Sequence, residues 1–114
     1  MNYDIDFKID LHTHTLASGH AYNTIDEMAA EAKKRGMAYL GITEHAPKMP
    51  GTCHEFYFQN LHVVERERDG LKLLLGAEVN IYDYEGNIDL PPQVLGRLDV
   101  VIASLHMPDR KSVV

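Results

Sequence analysis

Histidines are the residues in this chain whose types and spacing could do chemistry. The stretch Asp10-Leu11-His12-Thr13-His14 stands near its start. Ile9 and Leu11 alternate with Asp10 and His12, the period-two pattern of a strand. On a strand, His12 and His14 point to one side, about 7 Å apart along the backbone. Two imidazoles converging from one strand end can hold a metal ion. Asp10, one step behind them on that face, could orient an imidazole as a supporting carboxylate. A lone His-x-His is equally a polar, solvated strand end, so the decision rests on whether other strand ends supply ligands.

The elements that must position these residues can be read in order. The pattern predicts a loop over residues 16–23, then a capping box with Thr24 as N-cap and Glu27 three residues on. Met28, Ala29 and Ala32 continue a helix that Arg35-Gly36 closes. Tyr39-Leu40-Gly41-Ile42-Thr43 reads as a short strand ending in Glu44-His45, followed by a loop with Pro47, Pro50 and Gly51. Residues 55–68 read as a mixed helix with 65–68 as its solvated end, stopped by Asp69-Gly70. Residues 71–81 are apolar enough for a strand buried on both sides and carry Glu78. A small hairpin or excursion is expected over 82–90, and a short helix from Pro91-Pro92 to about Leu98. Residues 99–105 form a fourth strand, ending at His106. Four strands separated by helical segments predict an α/β fold with a parallel sheet. Its strand ends would bring together His12 and His14, His45, Glu78 and His106, where sites form in parallel α/β folds.

Composition narrows the class. The 114 residues, 45% hydrophobic and 25% charged, suit one small globular domain. The sequence has no apolar run able to span a bilayer and no signal-peptide layout at its start. Its single cysteine, Cys53, cannot form an internal disulfide, which points to a cytoplasmic setting. The net charge of −6 argues against a generic binder of nucleic-acid backbones.

Asp10-Leu11-His12-Thr13-His14-Thr15, Ile42-Thr43-Glu44-His45, Gly76-Ala77-Glu78-Val79-Asn80-Ile81 and Ala103-Ser104-Leu105-His106 resemble the first motifs of the PHP (polymerase and histidinol phosphatase) superfamily. Tyr57-Phe58-Gln59-Asn60, Asp83-Tyr84-Glu85-Gly86 and Asp89-Leu90-Pro91 resemble its YcdX-like phosphatase branch. The resemblance implies a distorted (β/α)7 barrel holding up to three divalent metal ions, zinc foremost with manganese or iron as alternatives, that hydrolyses phosphoesters of small molecules. It also implies that His12, His14 and Glu78 share one metal as the catalytic group, that Glu78 bridges to a second held by His106, and that His20 and His45 bind the third. The chemistry agrees. Two histidines and a carboxylate form a catalytic zinc set with a position left for water. A bridging carboxylate can hold two metals at roughly 3.5–4 Å to clamp a phosphoester.

The family's cluster is completed by a later His and an Asp-x-His pair, and no histidine follows His106 here. The chain therefore reads as one partial domain over 1–114, about the first four βα units of an unclosed barrel. Its first and last strands should be exposed edges open to self-association, and the apolar faces of 71–75 and 100–102 should have lost part of their cover. Metal binding and turnover by the chain alone should be weak. A non-catalytic metal-binding or interaction remnant is the alternative function. An amidohydrolase-type barrel also begins with His-x-His but leaves the Glu78 motif unexplained, and polymerase-branch exonuclease activity fits poorly with the acidic charge. His54 and His62 are read as non-ligands, His54 within reach of substrate from a loop and His62 on a helix surface. Arg110 and Lys111 are read as solvated charges.

Overall fold

The structure, a computed structural model, describes residues 8–105. His106, Arg110 and Lys111 lie outside the described residues. Strands β1 (Ile9–Thr13), β2 (Tyr39–His45), β4 (Leu71–Asn80) and β5 (Val100–Ser104) run parallel in that spatial order, and the two-residue β3 (Glu67–Arg68) pairs antiparallel with the start of β4. The parallel strands curl into a half-barrel with helical segments between them, as the spacing of apolar runs predicts.

Helix α1 (Ile25–Lys34) begins where expected. The Thr24 side chain accepts from the Glu27 backbone N–H while the Glu27 carboxylate accepts from Thr24, so two otherwise orphaned donors are satisfied reciprocally. Ala29 and Ala32 form its buried stripe. They pack into one core with Leu40 and Ile42 of β2, Leu71, Leu73 and Leu75 of β4, and Phe58, Leu61 and Val94 from the connecting segments. Each Leu or Ile buried there contributes about 1.5–3 kcal/mol. The expectation that residues 71–75 lose their cover does not hold for Leu71, Leu73 and Leu75, which are fully buried, because α1 and the segment after α2 pack over them. Val101 on β5 is substantially exposed, as are Ile9 and Leu11 on β1, so the two outer strands are the least covered.

Residues 55–68 differ most from the expectation. The helix α2 is only Glu55–Gln59, a 3-10 turn follows over Asn60–Val63, and Glu67–Arg68 is strand rather than a solvated helix end. Asp69 (φ 51°) and Gly70 (φ 90°) both take left-handed conformations, forming a two-residue hairpin of the Asp-Gly kind whose twist matches its strands. Arg66 and Arg68 serve this hairpin, Arg66 pairing with Asp99 at 2.7 Å and Arg68 with Asp26 at 2.8 Å. The excursion over 82–90 is present, closed by an Ile81–Ile88 bridge and by Asp83 accepting from Asn87. Helix α3 (Pro92–Leu95) has its proline in the first turn but ends sooner than expected, with single turns carrying the chain on to Leu98.

Candidate metal centre

The parallel register sets the site. His45 of β2 lies level with Glu78 of β4, both at the carboxyl ends of central strands. The pairing of β1 with β2 shifts between Asp10 and Thr13, a bulge within the very stretch that carries His12. Asp10 does not orient an imidazole: its carboxylate accepts the backbone N–H of His12 at 3.1 Å, because the bulge turns that N–H toward it. Among the described residues, His12, His14 and Glu78 form a group whose candidate ligand atoms all lie within 4.8 Å of one another.

Glu78 is the centre of that group and is almost fully buried. Its Oε1 lies 2.6 Å from His12 Nε2, 3.1 Å from His14 Nε2 and 3.6 Å from His45 Nδ1. Its Oε2 accepts from the Ser104 hydroxyl at 2.7 Å, so β5 fixes the carboxylate from the other side. His45 stacks on His14 with ring centroids 4.2 Å apart, and His20 stands edge-on to His45 at 4.7 Å and 5.8 Å from His14. Five of the six sequence-predicted residues, His12, His14, His20, His45 and Glu78, are thus neighbours; the sixth, His106, falls outside the described residues. Burial lowers the pKa of His14, an effect that the Glu78 and Glu44 carboxylates oppose without overcoming it and that His12 and His20 reinforce. His14 is therefore held toward its neutral form, the form in which imidazole can be a ligand.

A second buried carboxylate, passed over in the sequence, supports this group from behind. Glu44 has no exposed surface. Its Oε1 accepts from the Thr15 backbone N–H and the Ser18 hydroxyl, each at 2.8 Å. Its Oε2 accepts from the Thr15 hydroxyl and, at 3.2 Å, from the Tyr57 hydroxyl. Burial and the nearby Glu44 charge push the Tyr57 phenol far above its ordinary pKa, which keeps it a donor. Thr15 and Ser18 belong to the loop between His14 and His20, so Glu44 pins that loop against β2. The signals in the sequence were the hydroxyl residues Thr15, directly after His14, and Ser18, four residues after it, which nothing local ties to Glu44.

Asp89 does comparable work at the next strand end. It accepts from the Asn80 backbone and side chain at 2.7 and 2.6 Å and from the Lys48 backbone N–H at 2.9 Å, tying the loop after His45 to β4. His54 is the N-cap of α2, its Nδ1 accepting from the Phe56 N–H, and His62 Nδ1 lies 3.1 Å from the Gln59 carbonyl. Cys53 is partly buried, and burial raises its thiol pKa, which makes it a poor soft ligand.

No helix among the described residues is long and apolar enough to cross a membrane. A family model described as PHP domain matches residues 10–112. A probable phosphatase of Caldicellulosiruptor saccharolyticus is 57% identical over 99 residues, which are 87% of this chain and 41% of that protein. A probable phosphatase of Thermoanaerobacter is 55% identical over 98 residues, 86% of this chain and 40% of its own length. One from Photobacterium profundum is 46% identical over 104 residues, 91% of this chain and 42% of its own. The chain spans about two fifths of the length of these curated relatives. The motifs that gather at the strand ends are thus matched along almost the whole of the chain, which belongs to the PHP domain family.

Proposed function

We propose that the domain to which these residues belong is a metal-dependent phosphoester hydrolase acting on a small phosphorylated substrate. The observation that supports it is the convergence of His12 Nε2 and His14 Nε2, from the exposed side, on the Oε1 of the buried Glu78. The donor set fits a divalent ion: imidazole nitrogen and carboxylate oxygen are what zinc takes, and manganese or iron accept the same types. His12, His14 and Glu78 would hold one ion as the catalytic group, His20 and His45 another, and His106 with Glu78 a third. Such an ion supplies Lewis acidity toward a phosphoryl oxygen and lowers the pKa of a water.

The chain's own residues hold the donors in place. Ser104 fixes one oxygen of Glu78 and leaves the other aimed at the histidines. Glu44, Thr15 and Ser18 hold the loop that connects His14 to His20. The net charge of −6 disfavours a polyanionic nucleic acid, and the relatives' names as probable phosphatases favour a phosphomonoester. A reducing, cytoplasmic setting suits the single Cys53.

A second reading is a metal-binding or interaction module that does not itself turn over, for which the exposure of Ile9, Leu11 and Val101 on the outer strands speaks. Its exposed outer strands would then offer edges for self-association. The test is elemental analysis of the purified 114-residue chain after exposure to zinc, with assay of a chromogenic phosphomonoester. Weak zinc binding that His12→Ala removes, with slow or no turnover, is expected. Binding unaffected by His12→Ala would end the metal-centre reading, and tight stoichiometric zinc with phosphatase activity would end the second one.

A further inference from the structure

The Ser18 hydroxyl meets three groups at once. It lies 2.8 Å from Glu44 Oε1, 3.0 Å from the His45 backbone nitrogen and 3.4 Å from His14 Nδ1. Ser18 itself is fully buried, so solvent does not compete for these contacts. A hydroxyl has one proton to give and two lone pairs to receive with. The four donors around Glu44, from the Thr15 backbone, Thr15 Oγ1, Ser18 Oγ and the Tyr57 hydroxyl, suit an ionised carboxylate, which only accepts. The Ser18 proton therefore points to Glu44. The His45 backbone N–H can only donate, and it takes one Ser18 lone pair. What remains toward His14 is the second lone pair, which calls for a proton on Nδ1.

We propose that Glu44, acting through Ser18, fixes His14 as its Nδ1–H tautomer and presents a bare Nε2 to the Glu78 carboxylate. Glu44 and Ser18 are then positioning residues: neither is placed among the ligands, and both decide which nitrogen of His14 is available. With Nε2 bare, its lone pair faces Glu78 Oε1 across 3.1 Å, an acceptor against an acceptor. A cation between them turns that repulsion into attraction. The inference deepens the reading of His14 as a ligand, but the tautomer itself rests on the Ser18 geometry alone.

Nitrogen-15 NMR of the imidazoles in the labelled, metal-free full chain tests it, at a pH of about 8, above the ordinary histidine pKa of about 6.5. His14 is expected predominantly as Nδ1–H in the parent, and Ser18→Ala is expected to abolish the preference and weaken zinc binding about tenfold. His14 found as Nε2–H or as an even mixture in the parent overturns the proposal without any variant. So does an Nδ1–H signal that Ser18→Ala leaves unchanged. Should Ser18→Ala fail to fold by circular dichroism, Glu44→Gln is read in the same way. The two readings fail separately. A parent that shows Nδ1–H but binds no zinc refutes the metal centre alone, and a zinc-binding parent with Nε2–H refutes only the tautomer device.

Discussion

The carbonyl of Gly51 occupies the space that a side chain on Gly19 would need. A Cβ built on Gly19 would stand 2.0 Å from that oxygen, and Gly19 itself has φ +84°. The loop carrying His20 is therefore pressed against the loop after β2 at a point where only glycine fits. Gly19→Ala is expected to destabilise the chain by about 1–3 kcal/mol, measured by urea unfolding. It should also move His20 out of its edge-on contact with His45, visible as changed shifts of both imidazoles. An unfolding midpoint and imidazole shifts equal to the parent's would contradict the contact.

Glu78→Gln keeps the shape of the side chain and the partner for Ser104 but removes the charge that three histidines face. Zinc affinity is expected to fall about 100-fold or more by isothermal titration, with an unchanged far-ultraviolet spectrum, since removing a supporting partner alone costs 10–100-fold. Retained affinity would remove Glu78 from the centre.

Asp89→Ala strips acceptors from the buried Asn80 and from the Lys48 backbone together. A loss of about 1–3 kcal/mol is expected, the cost of weakening buried hydrogen bonds. Asp89→Asn should recover part of it. Equal stabilities of the alanine variant and the parent in a denaturant titration would show that the clamp contributes nothing.

Asp99 gives a pH signature. Burial pushes its carboxyl up, but the Leu75 N–H, the Arg66 guanidinium and Lys72 outweigh this, and its pKa lies below the ordinary carboxylate value. A depressed folded-state pKa contributes stability that is present above the unfolded value of about 3.9 and is lost as pH falls through the folded one. Asp99→Asn is expected to cost about 1 kcal/mol near neutral pH. The difference from the parent should shrink as the pH drops below about 4. A pH-independent difference would mean that the charge of Asp99 does not matter.

The strand ends were legible because the ligands stand at or near the ends of segments with strand patterning, so locating the strands also located His12, His14, His45 and Glu78. The capping box at Thr24 and Glu27 was legible for a similar reason: its chemistry is local. Glu44 was not. Neighbouring strand residues ordinarily face opposite ways, so a reading that aimed His45 at the site turned Glu44 away from it. Its partners are remote from it in sequence: Thr15 and Ser18 lie in the segment after β1 and Tyr57 on the short helix α2, and no local pattern joins them to β2. The Asp69-Gly70 hairpin was misread for another reason. Glu65-Arg66-Glu67-Arg68 has the charge pattern of a solvated helix, and that outweighed a turn pair that favours hairpins. The role of Asp10 depended on a bulge, which one extra residue creates without changing the alternation before it.

The same hairpin governs how β5 can dock. Going up the edge of β4, the Arg66 carbonyl takes the Leu73 N–H, Asp99 takes both the N–H and the carbonyl of Leu75, and parallel pairing begins at Gly76 opposite Val100. Arg66 and Asp99 join where the two partners of that edge meet. A β5 slipped downward by four residues would put Val100 opposite Lys72, a place already taken by Glu67 of β3. The hairpin closes through two residues, a far shorter loop than the connection of residues 81–99 across which β5 must return. It therefore acts as a doorstop for the last strand, setting the height at which Ser104 arrives beside Glu78.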